Sequence, residues 1–204
     1  MIGGAGLNPA TRAKLSTMPF RAYETFGMTE TVSHFALKLI GVDAHFRLLP
    51  GYSIRLNAHQ CLEVAGPATE GEWIATNDIV LKHTHNTFEW LGRSDFVINS
   101  GGVKLHPETL ENSIRDLLEK EHIQLRFALS AMANAQLGEM LVLVYENTSA
   151  PLDMEYVLAT LKQKLPPYSA PKQLIAIEKL PLTPNGKTDR LLLKQILNNE
   201  NLHA

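Results

Sequence analysis

The chain has one cysteine among its 204 residues, only two tryptophans, and a formal net charge of no more than −2 at pH 7. A lone Cys61 cannot close an internal disulfide, and such sparing use of cysteine fits a reducing, cytoplasmic setting. In the alternating stretch Cys61-Leu62-Glu63-Val64 it reads as a small buried apolar residue rather than a reactive thiol. The near balance of charge supplies no bulk field to recruit nucleic acid or an anionic membrane. No apolar run reaches the roughly 18 residues that a spanning helix needs, so no membrane span is expected. The start lacks a basic segment followed by an apolar core and does not read as a signal peptide. Internal repeats and low-complexity tracts are also missing. What is present is ordinary for a globular protein: 45% apolar and 20% charged residues, in a chain long enough to bury a core.

Met1-Ile2-Gly3-Gly4-Ala5-Gly6 reads as the end of a buried strand entering a glycine turn, which is expected in the middle of a longer protein. Asn8 and Pro9 suit the cap and first position of a helix running to Ser16. Phe20 to Phe26 reads as a strand ending at Gly27. From His34 to Glu89 short strands are punctuated by turn signals at Pro50-Gly51, Gly66-Pro67 and Glu70-Gly71. That spacing predicts a small antiparallel barrel or sandwich. Beyond Arg93 the text changes. Phe96-Val97-Ile98 and Val103-Lys104-Leu105 flank Asn99-Ser100-Gly101-Gly102 as a hairpin. Helices are expected from Pro107, with Leu110, Ile114, Leu117 and Leu118 at helical spacing, and over Leu152 to Leu165. Strands are expected over Ile123 to Met132, Glu139 to Tyr145 and Gln173 to Ile177. A last helix, capped by Thr188 or Asp189, runs to Leu197. The fold class is α+β: a strand-and-turn first part, then a module with a small sheet and flanking helices.

Three segments stand out in order along the chain. They are Tyr23-Glu24-Thr25-Phe26-Gly27-Met28-Thr29-Glu30, then Gly92-Arg93-Ser94-Asp95 followed by Gly101-Gly102, and Pro181-Leu182-Thr183-Pro184-Asn185-Gly186-Lys187-Thr188-Asp189-Arg190. Asp78 falls in the interval between the first two. Any one of them alone has a plain explanation. A Gly-x-Thr-Glu turn can simply end a strand, a Gly-Gly pair is usually only a turn, and an Asn-Gly-Lys turn often carries a solvated lysine. Together and in this order they resemble the adenylate-forming (AMP-binding) enzymes: acyl-CoA synthetases, luciferases and peptide-synthetase adenylation domains.

The resemblance implies a division of labour. Activating a carboxylate with ATP crowds negative charge at the α-phosphorus, so positioned cations and donors are needed there. Glu30 matches the family's magnesium-associated glutamate and Thr29 its phosphate-contacting hydroxyl. Phe26 stands where the family has its adenine-stacking aromatic, usually tyrosine. Gly3, Gly4 and Ala5 resemble the glycine turn lining the acyl-adenylate pocket. Asp78 matches the aspartate that accepts from both ribose hydroxyls, with Asn77 replacing the usual preceding glycine. Arg93 matches an arginine that also reaches the ribose, and Asp95 the hinge of the mobile C-terminal domain. Gly101 and Gly102 match the wall of the pantetheine tunnel, with Lys104 beside them more simply read as solvated. Lys187 matches the catalytic lysine that reaches the α-phosphate and the carboxylate together. Residues 1–92 then correspond to the C-terminal part of the N-terminal AMP-binding domain, 93–95 to the hinge, and 96–204 to the mobile C-terminal domain.

The implied substrates are a small carboxylic acid, ATP with Mg2+, and coenzyme A, with no nucleic acid; a homodimer is left open. Within the family, Gly27 to Thr31 with Ser33-His34, Phe88 to Arg93, and Val97 to Leu105 look most like the 2-succinylbenzoate–CoA ligases of menaquinone synthesis, with Thr31 and Ser33 near the acid. Another acyl-CoA synthetase or a carrier-protein adenylation domain is the alternative, and the absence of a carrier motif after Lys187 is read in favour of the ligase. The family's Ser/Thr- and glycine-rich phosphate loop is not found in this sequence, so these residues alone are expected to be inactive. His83 and His85, two apart, read as a solvated edge rather than a metal pair, because no third ligand is evident from the sequence.

Overall fold

The computed structural model describes residues 1–3, 7, 9–147 and 152–200. Of the sequence expectations, those on Gly4, Ala5 and Asn8 lie outside the described residues. The chain divides into two compact units, Met1–Asp95 and Phe96–Ala204.

The first unit opens with α1 (Pro9–Ser16) and continues through β1 (Tyr23–Gly27), β2 (His34–Leu39), β3 (Phe46–Leu48), β4 (Ser53–Leu56), β5 (Cys61–Ala65), β6 (Ile74–Lys82) and β7 (Thr87–Arg93). These strands form one sheet in the order β1-β2-β3-β7-β6-β5-β4, with every neighbouring pair antiparallel. The expected barrel is corrected here. The path runs from an edge at β1 to an edge at β4, and no pairing among the described residues joins the two, so the sheet stays open. Alternation drives the elements: in β4, Ile54 is buried while Ser53 and Arg55 are exposed. The core gathers Phe35, Leu62, Val64 and Phe88, all fully buried. Phe26 packs on this cluster, its ring centroid 5.5 Å from Phe35, 5.4 Å from Phe46 and 5.3 Å from Phe88. Offset and edge-on contacts of this kind stabilise beyond the area they bury. Cys61 is buried in β5, as a small apolar residue would be.

The second unit comprises β8 (Ile98–Ser100), β9 (Val103–Leu105), α2 (Pro107–Lys120), β10 (Phe127–Asn134), β11 (Gly138–Glu146), α3 (Met154–Lys164), β12 (Gln173–Ile177) and α4 (Arg190–Glu200). Its sheet runs β10-β11-β8-β9, with β12 joining β11 in parallel. Strands β10 and β11 are covered on both faces. Leu129, Ala131, Leu141 and Leu143 pack with Ile114 and Leu118 of α2 and Val157 and Leu161 of α3. Ala128, Met132, Val142 and Val144 pack with Leu193 and Leu197 of α4. Burial on both faces explains why β10 is apolar almost throughout.

Element boundaries shift for local reasons. The strand expected from Ile123 begins at Phe127, because residues 121–123 close α2 instead. His122 sits at φ 57°, and the Ile123 amide donates to the Leu118 carbonyl at 2.8 Å. Helix α3 starts at Met154, since the Asp153 side chain caps it by accepting from the Tyr156 amide at 3.0 Å. Of the two cap candidates for α4, Asp189 is the one used: its Oδ1 accepts from the Leu192 amide at 3.0 Å.

Candidate functional site

In the first unit, Asp78, Arg93 and Asp95 come together where β6 and β7 pair. The register sets Asp78 opposite Arg93. Trp90 donates its indole N–H to Asp78 Oδ1 at 2.8 Å, and the Asp78 amide donates to Thr76 Oγ1 at 3.0 Å. The carboxylate is thus oriented before any ligand arrives. Burial raises its pKa above the ordinary value; the indole bond and the Arg93 charge oppose this, while the charges of Asp95 and Glu30 add to it, and the net direction is upward. Arg93 in turn donates to Asp95 Oδ2 at 2.5 Å. Asn77 donates its amide to both Asp95 oxygens, at 3.1 and 3.2 Å. Asn77 therefore has a partner of its own.

Thr29 and Glu30 form a 3₁₀ turn with Thr31, directly after β1. Both Thr29 and Glu30 are exposed. Thr31 is the residue that builds this turn. It is buried, and its hydroxyl accepts from the Met28 amide at 3.1 Å and lies 2.7 Å from the Ser33 carbonyl. That hydroxyl serves the backbone rather than a pocket wall. Glu30 carboxylate and Thr29 hydroxyl are hard oxygen donors of the kind Mg2+ takes, with water and phosphate completing its shell. The charges of Asp95 and Glu30 both act on Asp78, and a cation beside Asp78 would relieve that repulsion.

Phe26 is only half available. Three core rings contact it, so its ring is held by the interior. Gly3 lies beside β1, where the Ile2 amide donates to the Tyr23 carbonyl at 2.8 Å. A Cβ at Gly3 would come within 2.0 Å of Thr25 Oγ1, so a larger residue there would force the Thr25 hydroxyl aside.

In the second unit, the Pro181–Arg190 segment forms a tight loop. Leu182 bridges Thr188 in antiparallel fashion, the Thr183 amide donates to the Lys187 carbonyl at 2.7 Å, and the Gly186 amide donates to the Thr183 carbonyl at 2.8 Å. Lys187 sits exposed on this loop, and among the described residues no hydrogen bond or ion pair engages its ammonium. The loop is anchored by a residue whose role the sequence does not reveal. Arg190 donates to Glu111 Oε2 at 2.8 Å and to the Leu129 carbonyl at 3.2 Å. Glu111, itself buried on α2, accepts from the Leu129 amide at 2.8 Å and from Arg115 at 3.2 Å. A polar residue at a core-facing helical position was the available signal.

The β8–β9 hairpin turns at Gly101 and Gly102, at φ 61° and 86°. Two successive left-handed residues define the turn that matches strand twist, and glycine adopts it without strain. The Gly101 amide donates to the Leu137 carbonyl at 2.9 Å, and the Asn99 amide to Glu139 Oε2 at 2.9 Å. Lys104 is exposed.

No protein-family model matches the chain. The anguibactin system regulator of Vibrio anguillarum is 32% identical over 146 residues, covering 69% of this chain and 13% of that protein. A salicylyl-CoA synthase / salicylate adenylyltransferase of a Streptomyces species is 32% identical over 131 residues, covering 63% of this chain and 23% of that protein. Among solved structures, an acyl-CoA synthetase (AMP-forming)/AMP-acid ligase II-like protein from Dyadobacter fermentans is 34% identical with a TM-score of 0.50, over 97% of this chain and 57% of that one. The chain thus spans between 13% and 57% of the length of these relatives.

Proposed function

We propose that this relative of the adenylate-forming (AMP-binding) enzymes contributes the ribose-binding aspartate, the hinge and the catalytic lysine of an acid–CoA ligase. The reading rests above all on Asp78: a half-buried carboxylate, fixed by Trp90 and faced across the strand pair by Arg93. A carboxylate oriented in this way can accept from both hydroxyls of a ribose without reorganising. Arg93 steadies Asp95 and lies beside the same ribose. Thr29 donates to a phosphate oxygen. Glu30 holds Mg2+, which when bound neutralises charge on the phosphate oxygens. Lys187, exposed on its anchored loop, neutralises the charge that grows as the carboxylate oxygen attacks phosphorus and pyrophosphate leaves. Asp95 is the pivot about which the second unit turns, exchanging Lys187 for the Gly101-Gly102 hairpin at the adenylate, where CoA thiol attacks. Gly3 allows close approach to the acyl-adenylate. Phe26 offers adenine whatever face its core contacts leave.

The acid is 2-succinylbenzoate, on the likeness of residues 27–34, 88–93 and 97–105 to that ligase group. The test uses a polypeptide carrying these residues together with a phosphate loop. Acid-dependent exchange of labelled pyrophosphate into ATP is measured across a panel of acids, then thioester formation with CoA. Exchange with 2-succinylbenzoate and release of its CoA thioester support the proposal. Exchange with a different acid rejects the substrate but keeps the ligase. Transfer to a carrier-protein thiol and not to CoA rejects the ligase.

A further inference from the structure

Outside the site just described, His45, His83 and Glu89 converge on one face of the first unit's sheet. The topology explains how. Strand β7 lies between β3 and β6. Phe46 pairs with Phe88, so His45, just before β3, falls opposite Glu89. Leu81 pairs with Glu89, and the His83 amide donates to the Thr87 carbonyl at 3.0 Å just past the end of β6. Cross-strand partners share a face, as do residues two apart on a strand. All three side chains therefore project to the same side from three adjacent strands, although 38 positions separate the histidines in sequence.

Their geometry is tight. One ligand-capable atom from each lies within 4.8 Å of the others. The two imidazole rings stack with centroids 3.6 Å apart, and His83 Nε2 is 3.6 Å from Glu89 Oε2. Nδ1 of His45 is buried, with no hydrogen-bond partner among the described residues. A buried polar atom left unpaired costs free energy. His83 and Glu89 keep 30% and 45% of their side-chain surface exposed, which gives an ion a way in.

We propose that His45, His83 and Glu89 form a binding site for a divalent transition metal of the zinc class. Two imidazoles and one carboxylate are ligands such ions take, and a three-ligand set leaves one position for water. Donors about 2.0–2.2 Å from a zinc ion lie closer together than these atoms do, so small side-chain rotations close the shell. His85 is not a member. The bound ion ties β3, β7 and β6 together at the end where β6 turns into β7. It stabilises the first unit and takes no part in the ligase chemistry.

The experiment titrates Zn2+ alone into the 204-residue chain by calorimetry and follows the thermal midpoint with and without Zn2+. The expected result is one ion per chain and a raised midpoint, since a ligand that binds only the folded state stabilises it. His83→Ala and Glu89→Gln should each weaken binding by more than the roughly 10- to 100-fold that changes behind the ligands typically cause. His85→Ala should leave it unchanged. His45→Ala should behave as His83→Ala does; if that variant does not fold, His83→Ala on its exposed turn decides the matter. Absence of stoichiometric binding by the unaltered chain overturns the proposal. So does an equal loss with His85→Ala, which would mark an adventitious histidine patch.

Discussion

Trp90 holds Asp78: the indole N–H meets the carboxylate at 2.8 Å from the neighbouring strand, twelve residues along the chain. Register alone pairs Asp78 with Arg93 and Val80 with Trp90, so the tryptophan reaches diagonally. The result is a carboxylate fixed in place at the cost of being partly desolvated, with two further carboxylates close enough to act on it. This tension between orientation and burial gives the first prediction.

Asp78→Asn should make the first unit more stable at neutral pH while abolishing nucleotide binding. The sign follows from the raised folded-state pKa. Between the unfolded value and the higher folded value, the folded state holds more proton than the unfolded one, so stability falls as pH rises through that window. Asparagine keeps the acceptor for Trp90 and removes the buried charge. Thermal unfolding across pH should show the variant's advantage at pH 7 shrinking as pH drops through the carboxylate range. An advantage that grows on acidification would mean the Asp78 charge is stabilising.

Glu111→Ala should destabilise the second unit by about 3 kcal/mol, because the guanidinium of Arg190 loses the carboxylate 2.8 Å away and keeps only Glu108 at 4.0 Å. The Leu129 amide loses its acceptor as well. Denaturant unfolding checks the size. A change under about 1 kcal/mol would mean that water replaces Glu111 easily.

Lys187→Ala in the polypeptide that carries the phosphate loop should slow adenylation by about 10²–10³-fold, as loss of one preorganised charge stabiliser does. Thioester formation from supplied acyl-adenylate should be nearly unaffected. Gly102→Val should show the opposite pattern. A Cβ there meets nothing within 4 Å, so any loss comes from backbone strain at φ 86° and from obstruction of the incoming thiol. Gly101 is a poorer choice, since its Cβ would press on Leu137 at 3.1 Å. Equal impairment of both half-reactions by Lys187→Ala would show that the lysine holds structure.

The 204-residue chain by itself should not exchange labelled pyrophosphate into ATP at ordinary synthetase rates. It has no Ser/Thr- and glycine-rich loop to cradle the β- and γ-phosphates. Exchange at such rates by the purified chain would show that another segment performs that role.

Much of the second unit was legible because its signals are local. The heptad-like spacing of Leu110, Ile114, Leu117 and Leu118, the short apolar run after Gln173, and the Gly101-Gly102 turn each fix an element within a few residues. Boundaries failed where a neighbour competed, as when residues 121–123 closed α2 instead of opening a strand. The first unit was less legible. Turn spacing suggests strands but not whether their sheet closes, because closure depends on pairing between β1 and β4, which lie far apart in the chain.

The sequence by itself determined the chemistry on offer: which carboxylates, glycines and lysine occur, their order, and the family they resemble. Such features are set by residue type and short spacing. Only the tertiary structure decided which of them meet. It gave Asp78 its tryptophan, turned Asn77 toward Asp95, and drew the Phe26 ring into the core. It tied Arg190 to Glu111 across 79 positions and stacked His45 on His83 across the intervening strand β7. The physical reason is common to all of these. Strand register and helix packing bring distant residues into contact, and the burial of apolar side chains on both sides of each contact selects that register.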